Sequence, residues 1–305
     1  MPKCLVVGGN GFLGSHVVDA LVAAGHEVAV FDRFVEHRLN YAAAGVERIT
    51  GDFLNKGDVR AAVEGVDVVL HFLSTTDPAT AESDPTLDIR TNVTSSVELF
   101  TACVSAGVEK VYFASTGGAI YGDQSRTVFR EDDVTLPISP YAIGKLTIEN
   151  YLRYFRRTHG LQSTTFRISN PYGTRQDPGK RQGVIPIFLR AIAEGRPVTV
   201  FGDGSMVRDY VFVADMADMV ARAVTAGTRD DLYNLGSGEG CSLLDLLDVV
   251  AAVTGVTPEI VHRPRPATFV DHVTLDTARF TAEFGPTMLT PLHEGVARTW
   301  EELRG

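Results

Sequence analysis

The chain has 305 residues, 44% hydrophobic and 22% charged, with 28 Lys+Arg against 38 Asp+Glu for a net charge of −10. That composition suits a globular protein with a large core and argues against a general binder of nucleic acid or anionic membranes. No apolar run approaches the ~20 residues that span a bilayer. The apolar start is broken by Gly8-Gly9 too early for a secretory leader, so a cytoplasmic protein is expected. Cys4, Cys103 and Cys241 are scattered in apolar segments and read as free thiols in a reducing compartment. No histidine pair has metal-ligand spacing, and no metal is expected.

Short β-branched runs alternate with helical patterns through the first half. A strand over 4–7 leads into Gly8, Gly11 and Gly14, spaced G-x-x-G-x-x-G, and then into a helix over 12–24. Glycines there let the backbone turn sharply and approach a pyrophosphate seated on the helix N-terminus. The next strand, 27–31, ends at Asp32, an acid that can accept hydrogen bonds from both adenosine ribose hydroxyls and would repel a 2′-phosphate. NAD is favoured over NADP, although Arg33 beside it pulls the other way. After a third strand, 46–49, Asp52-Phe53 either holds adenine or forms only a turn. A fourth strand, 67–71, ends at His71, read as a packed residue. A helix over 92–106 and a fifth strand, 111–114, lead to Ser115-Thr116, hydroxyls at the strand end where doubly wound sheets bind ligands.

Tyr141 and Lys145 form Y-x-x-x-K. On a helix they share a face, and the lysine charge and a nicotinamide cation would lower the phenol's pKa toward working pH. A sixth strand covers 164–168. Continuous apolar strands separated by helices imply βαβ units in a doubly wound parallel sheet. Beyond Asn170 the texture changes to Gly, Pro and basic residues, with helices over 185–194 and 243–254, a Pro-rich stretch over 262–266 and a terminal helix. Two lobes are expected, a dinucleotide-binding domain of 1–169 plus 209–235 and a smaller α/β lobe of 170–208 plus 236–305.

These features resemble the extended short-chain dehydrogenase/reductase family, and within it the NAD-dependent epimerase/dehydratases of the UDP-glucose 4-epimerase type. The markers are the glycine turn, Asp32, Gly51-Asp52, His71-Phe72, Asn92, Ser115-Thr116, Tyr141/Lys145, Arg167 to Gly173, Phe201-Gly202-Asp203-Gly204, Arg208-Asp209 and Arg265-Pro266. The resemblance covers essentially the whole chain and implies a Rossmann fold and tightly held NAD. Phe12, Leu13, Arg33, Phe53, Phe72, Leu73, Ser74 and Asn92 join the glycines, Asp32 and Asp52 in holding the cofactor. Tyr141 would take the proton from a sugar 4-hydroxyl while hydride leaves C4. Lys145 would bind the nicotinamide ribose, and Thr116 or Ser115 would hold the 4-oxygen.

The sugar nucleotide would meet Asn170, Val184, Ile185, Thr199 and Phe201, with Arg208 and Arg265 on the diphosphate. Phe201 reads equally well as core. Dehydratases and decarboxylases of the family carry acids where this chain has Gly117-Gly118, which leaves 4-epimerisation of a UDP-hexose, such as UDP-glucose/UDP-galactose or UDP-glucuronate, with a keto-sugar reductase as the alternative. Family members often have Arg-Pro-Gly-Asp where this chain has Arg265-Pro266-Ala267-Thr268, so one ribose contact is missing. His272 stands where bulk limits the sugar C2 group. Arg175, Lys180 and Arg181 form either a solvated loop or a partner for a C6 carboxylate. A homodimer through the helices near 92–106 and 141–158 is also implied.

Overall fold

The structure, a computed structural model, describes residues 2–35, 39–177 and 183–304. The chain forms two compact units. One comprises the residues through Ser115, Pro140–Arg167 and Ala217–Tyr233; the other comprises Thr116–Ser139, Ile168–Met216 and the residues from Asn234 onward.

The first unit is built on a seven-stranded sheet. Its order is Leu232–Leu235, Gln162–Ile168, Lys110–Thr116, Val68–His71, Lys3–Val7, Glu27–Asp32, Glu47–Thr50. The pairs joining the first five strands in sequence are parallel. Val7 lies between Phe31 and His71 in register, so the order reverses at the first strand. Both the glycine turn and residues 72–74 leave the sheet at that switch point, where open α/β sheets bind ligands. Central strands are buried because Cys4–Val7 and Val28–Phe31 present apolar side chains to both faces. Glu47–Thr50 differs from the buried strand that the pattern implied: it is an edge strand whose residues are mostly exposed. The helix Phe12–Ala23 and its neighbours cover the sheet, and Leu5, Phe31, Phe100, Phe113 and Leu152 share one core.

The helix expected from residue 92 begins earlier, as a π-turn over Ile89–Val93 that runs into Thr94–Ala106. The fifth strand is longer than 111–114 and carries Ser115 and Thr116 within it.

The second unit has its own sheet of Gly240–Ser242, Val207–Phe212, His272–Leu275 and Val128–Phe129, with Asn170–Tyr172 also on Val207–Phe212. Val198–Phe201 pairs with Ile260–Arg263, which takes in part of the Pro-rich stretch. The anticipated division placed 116–139 and 209–216 with the cofactor domain. They belong to the second unit, because Val207–Phe212 pairs with strands of that unit and Val128–Phe129 with His272–Leu275. Phe188, Leu189, Leu246 and Val296 form a separate core there.

Candidate active site

The glycine turn is shaped for a ligand that needs bare backbone. Gly8 has φ +81°, and a Cβ on it would stand 2.8 Å from the Leu73 backbone. A Cβ on Gly14 would collide with the Gly8 carbonyl oxygen, so the helix enters in contact with the turn. The Phe12–Ala23 helix has Gly11 as a cap without a side chain and no acid in its first turn. Its leading N–H groups, at Phe12 and Leu13, therefore have neither an intrahelical partner nor a competing carboxylate. Asp32 accepts the Asn10 N–H at 3.1 Å and the Arg33 N–H at 2.7 Å, which ties it to the turn and leaves carboxylate lone pairs for a ribose. This cradle fits a dinucleotide.

Other expected cofactor residues divide differently. Asp52 is exposed and accepts the Leu54 N–H at 2.9 Å. Phe53 is buried beside His71 with ring centroids 5.2 Å apart, so its side chain serves the core and leaves only backbone for a ligand. Phe72 and Leu73 are half-buried after the fourth strand, and the Ser74 hydroxyl donates to the Thr76 carbonyl at 2.7 Å. Asn92 is buried and commits its amide to Thr75, Thr76 and Asp88, which makes its side chain a fastener of the 74–76 loop. His71 is packed: Nε2 meets the Ser96 hydroxyl at 2.8 Å, and burial pushes its pKa down to about 3.

Tyr141 and Lys145 stand one turn apart on the helix Pro140–His159. The Tyr141 hydroxyl has no hydrogen-bond partner among the described residues, and the ring keeps part of its surface open. Lys145 Nζ lies 5.8 Å from that ring, donates to the Ala114 carbonyl at 2.9 Å and is buried. Burial lowers the Lys145 pKa to about 8 despite Asp88 and Glu149 nearby. In the protein alone the Tyr141 phenol is pushed up, first by burial and then by Asp88 and Asp77. The lowering expected of Y-x-x-x-K counted a nicotinamide cation as well as the lysine; in the protein alone, burial and the two carboxylates set the balance.

Ser115 donates to Glu149 Oε1 at 2.5 Å, and Arg167 grips the same carboxylate at 2.8 and 3.2 Å. The Glu149–Arg167 pair is buried. Glu149 sits four residues after Lys145 on the same helix face, a spacing that could have revealed it. Asp88 had no local signal.

In the second unit, the Thr116 hydroxyl has no hydrogen-bond partner among the described residues. The Asn170 amide donates to the Asp209 carbonyl at 3.0 Å and packs on Gly118. Alternation along the strand turns Asp209 away from Arg208 into the interior, where it accepts from Ser237, Gly238 and Leu275. Arg208 is pinned by the Val207 and Val270 carbonyls at 2.8 and 2.6 Å. Burial, with Arg265 nearby, lowers its pKa. Arg265 pairs with Asp271, a carboxylate farther along the chain than the position after Pro266. His272 lies beside Arg208, and burial followed by that charge lowers its pKa.

Phe201 is 38% exposed and stands edge-on to Phe269 at 5.6 Å, so it is not core. Thr199 is exposed and Val184 half-buried, but Ile185 is 1% exposed inside the second core and cannot line a site with its side chain. The Arg175 N–H donates to Glu302 at 2.7 Å, while Lys180 and Arg181 lie outside the described residues. Among the described residues no cluster of metal-ligating side chains occurs.

The model of the NAD-dependent epimerase/dehydratase family matches residues 4–236. The chain belongs to that family. As for other members, its cofactor is NAD. Similar proteins include a UDP-glucose 4-epimerase of Mycolicibacterium smegmatis, 33% identical over 99% of this chain and 98% of that one. The UDP-glucose 4-epimerase of Thermus thermophilus, solved in complex with NAD, is 35% identical over 99% of both chains with a TM-score of 0.92. A UDP-N-acetyl-alpha-D-glucosaminuronate decarboxylase of Bacillus cytotoxicus is 32% identical over 86% of this chain and 83% of its own. The protein is thus an enzyme of an NAD-dependent class whose reactions diverge after a common type of fold. No helix among its described residues is long and apolar enough to cross a membrane.

Proposed function

We propose that the protein is a nucleotide-sugar 4-epimerase that inverts C4 of a UDP-hexose, such as UDP-glucose/UDP-galactose or UDP-glucuronate, through a transient 4-keto sugar. Bound NAD supplies the hydride acceptor. The observation that carries the reading is the turn after the fifth strand. Gly117–Ile120 reads Gly-Gly-Ala-Ile and offers no acid or base to a keto sugar. Elimination at C5 and C6, or loss of a carboxylate, has no proton carrier in that stretch.

The chain's own residues divide the remaining work. Tyr141 takes the proton from the 4-hydroxyl and returns it after the keto sugar has turned over. Lys145 holds the nicotinamide ribose and favours the phenolate by its charge. Thr116 donates to the 4-oxygen, supported by its unengaged hydroxyl. Arg208 and Arg265 bind the diphosphate, with Asp271 yielding Arg265 to it, and Phe201 supports the nucleoside end. We place the enzyme in the cytoplasm, in keeping with its three free cysteines. We also infer a homodimer through the helices Thr94–Ala106 and Pro140–His159, since the latter exposes Ile143, Tyr151 and Tyr154 on one face.

The test is to incubate the purified protein, without added cofactor, with UDP-, dTDP- and GDP-sugars and to follow C4 by proton NMR. An inverted sugar at equilibrium, lost in Tyr141→Phe with NAD retained, supports the proposal. Stoichiometric consumption of NADH with net reduction of a keto sugar would replace it with the reductase reading. A monomer by light scattering would remove the dimer.

A further inference from the structure

Within the first unit, a buried carboxylate stands where the 74–76 loop, the π-turn and the Tyr141 helix meet. Asp88 is 2% exposed and immediately precedes the π-turn Ile89–Val93. Its Oδ1 accepts the Thr76 hydroxyl at 2.5 Å and the Asn92 amide at 2.8 Å. Asn92 gives its other N–H to Thr76 Oγ1 at 2.7 Å and accepts the Thr75 N–H at 2.8 Å. The knot therefore fixes Asp88 by hydrogen bonds, which a buried carboxylate requires. Its second oxygen is pressed against the Tyr141 helix: a Cβ on Gly144 would overlap Asp88 Oδ2. Gly144 directly precedes Lys145 and follows Tyr141 by three residues. Only glycine admits the carboxylate there.

The charges around the pair can be named. Asp77 and Asp88 face Tyr141, and Lys145 lies against its ring. Asp88 and Glu149 face Lys145, and the neighbouring His71 is neutral at working pH. Glu149 already has a cation, Arg167. Asp88 has no ion-pair partner among the described residues, so its charge is felt by Tyr141 and Lys145.

We propose that Asp88 is a positioning residue that sets the proton balance of the Tyr141–Lys145 pair, holding the lysine as its ammonium and opposing early ionisation of the tyrosine. This deepens the reading of Tyr141 and Lys145 as catalytic groups and rests on it. The physical need is a matched base. With bound NAD adding a cation beside Lys145, positive charge around Tyr141 would favour phenolate, but a phenol that ionises far below working pH accepts a proton weakly. A fixed carboxylate offsets that charge.

Asp88→Asn keeps an acceptor for Thr76 and Asn92 and removes the charge. In the purified holoenzyme, the ionisation of Tyr141 is read from the ultraviolet tyrosinate band, with Tyr141→Phe in each background as the blank. The pH profile of kcat/KM for C4 inversion is measured alongside. The expected result is that the tyrosinate transition and both limbs of the profile move to lower pH by about one pH unit. A tyrosinate transition that stays in place overturns the proposal, even if the variant is slower or less stable. If Asp88→Asn does not fold, Gly144→Ala drives Oδ2 from the helix and should move the transition the same way; an unmoved transition there overturns it too. The tyrosinate reading needs no turnover. A wild type that inverts no sugar would sink the proposed function while leaving this titration to decide the role of Asp88.

Discussion

The Ser115 hydroxyl donates to Glu149 at 2.5 Å, inside a buried ion pair with Arg167. Its neighbour Thr116 has no such partner among the described residues. Two adjacent hydroxyls at one strand end therefore have different duties. Ser115→Ala removes a donor from a buried carboxylate and should cost about 1–3 kcal/mol of stability with a small effect on kcat. Thr116→Val should leave stability within about 1 kcal/mol and lower kcat roughly tenfold or more. Urea unfolding and steady-state rates on both variants decide between them; a larger kcat loss in Ser115→Ala would reverse the assignment.

Gly14→Ala should abolish NAD retention. The added methyl would meet the Gly8 carbonyl oxygen and carbon, both backbone, so the turn itself must move. Nucleotide released on denaturing the purified variant, quantified by chromatography, should fall to near zero. Wild-type amounts would show that the turn tolerates the shift.

Acid should destabilise the protein through His71. Its folded pKa is about 3 against an ordinary 6.5. The unfolded chain binds the proton first as pH falls, so stability present above 6.5 is lost progressively toward 3. At pH 5 the loss from this residue is about 2 kcal/mol. His71→Gln cannot take the proton and should flatten the fall in unfolding free energy between pH 7 and pH 5. Equal losses in variant and wild type would mean that another group drives acid unfolding.

Lys145 is held charged at a cost. Burial brings its pKa from 10.5 to about 8, so the unfolded chain holds the proton between those values and the folded one does not. This contribution to stability is therefore lowest below pH 8 and recovers as pH rises toward 10.5. Lys145→Met should be inactive yet more stable at pH 7, by at most about 3 kcal/mol, with the advantage shrinking as pH rises. A variant equally destabilised at every pH would show that the Ala114 hydrogen bond outweighs the buried charge.

Much of the first unit was legible in the residues. The glycine turn, Asp32 at the end of a strand and the Tyr141/Lys145 spacing are signals within a few residues, created by backbone conformation and helix periodicity, and these express themselves locally. The alternating first half likewise specified a doubly wound sheet, because strands buried on both faces must be apolar throughout. Glu149 was within reach of the same logic, one turn beyond Lys145.

Other assignments needed the folded chain. Phe53 and Ile185 are core, Phe201 is exposed, and Val207–Phe212 joins the second sheet, since apolar character alone does not say which surface covers a side chain or which strand pairs with it. The partnership of Arg265 with Asp271, the commitment of Ser115 to Glu149 and the seat of Asp88 on Gly144 join residues from different turns, strands and helices. Hydrogen bonds and close contacts of that kind depend on where the fold brings distant segments together. Periodicity and the glycine spacing determined the sheet and its first turn; long-range packing decided which polar groups are committed to structure and which are left unengaged.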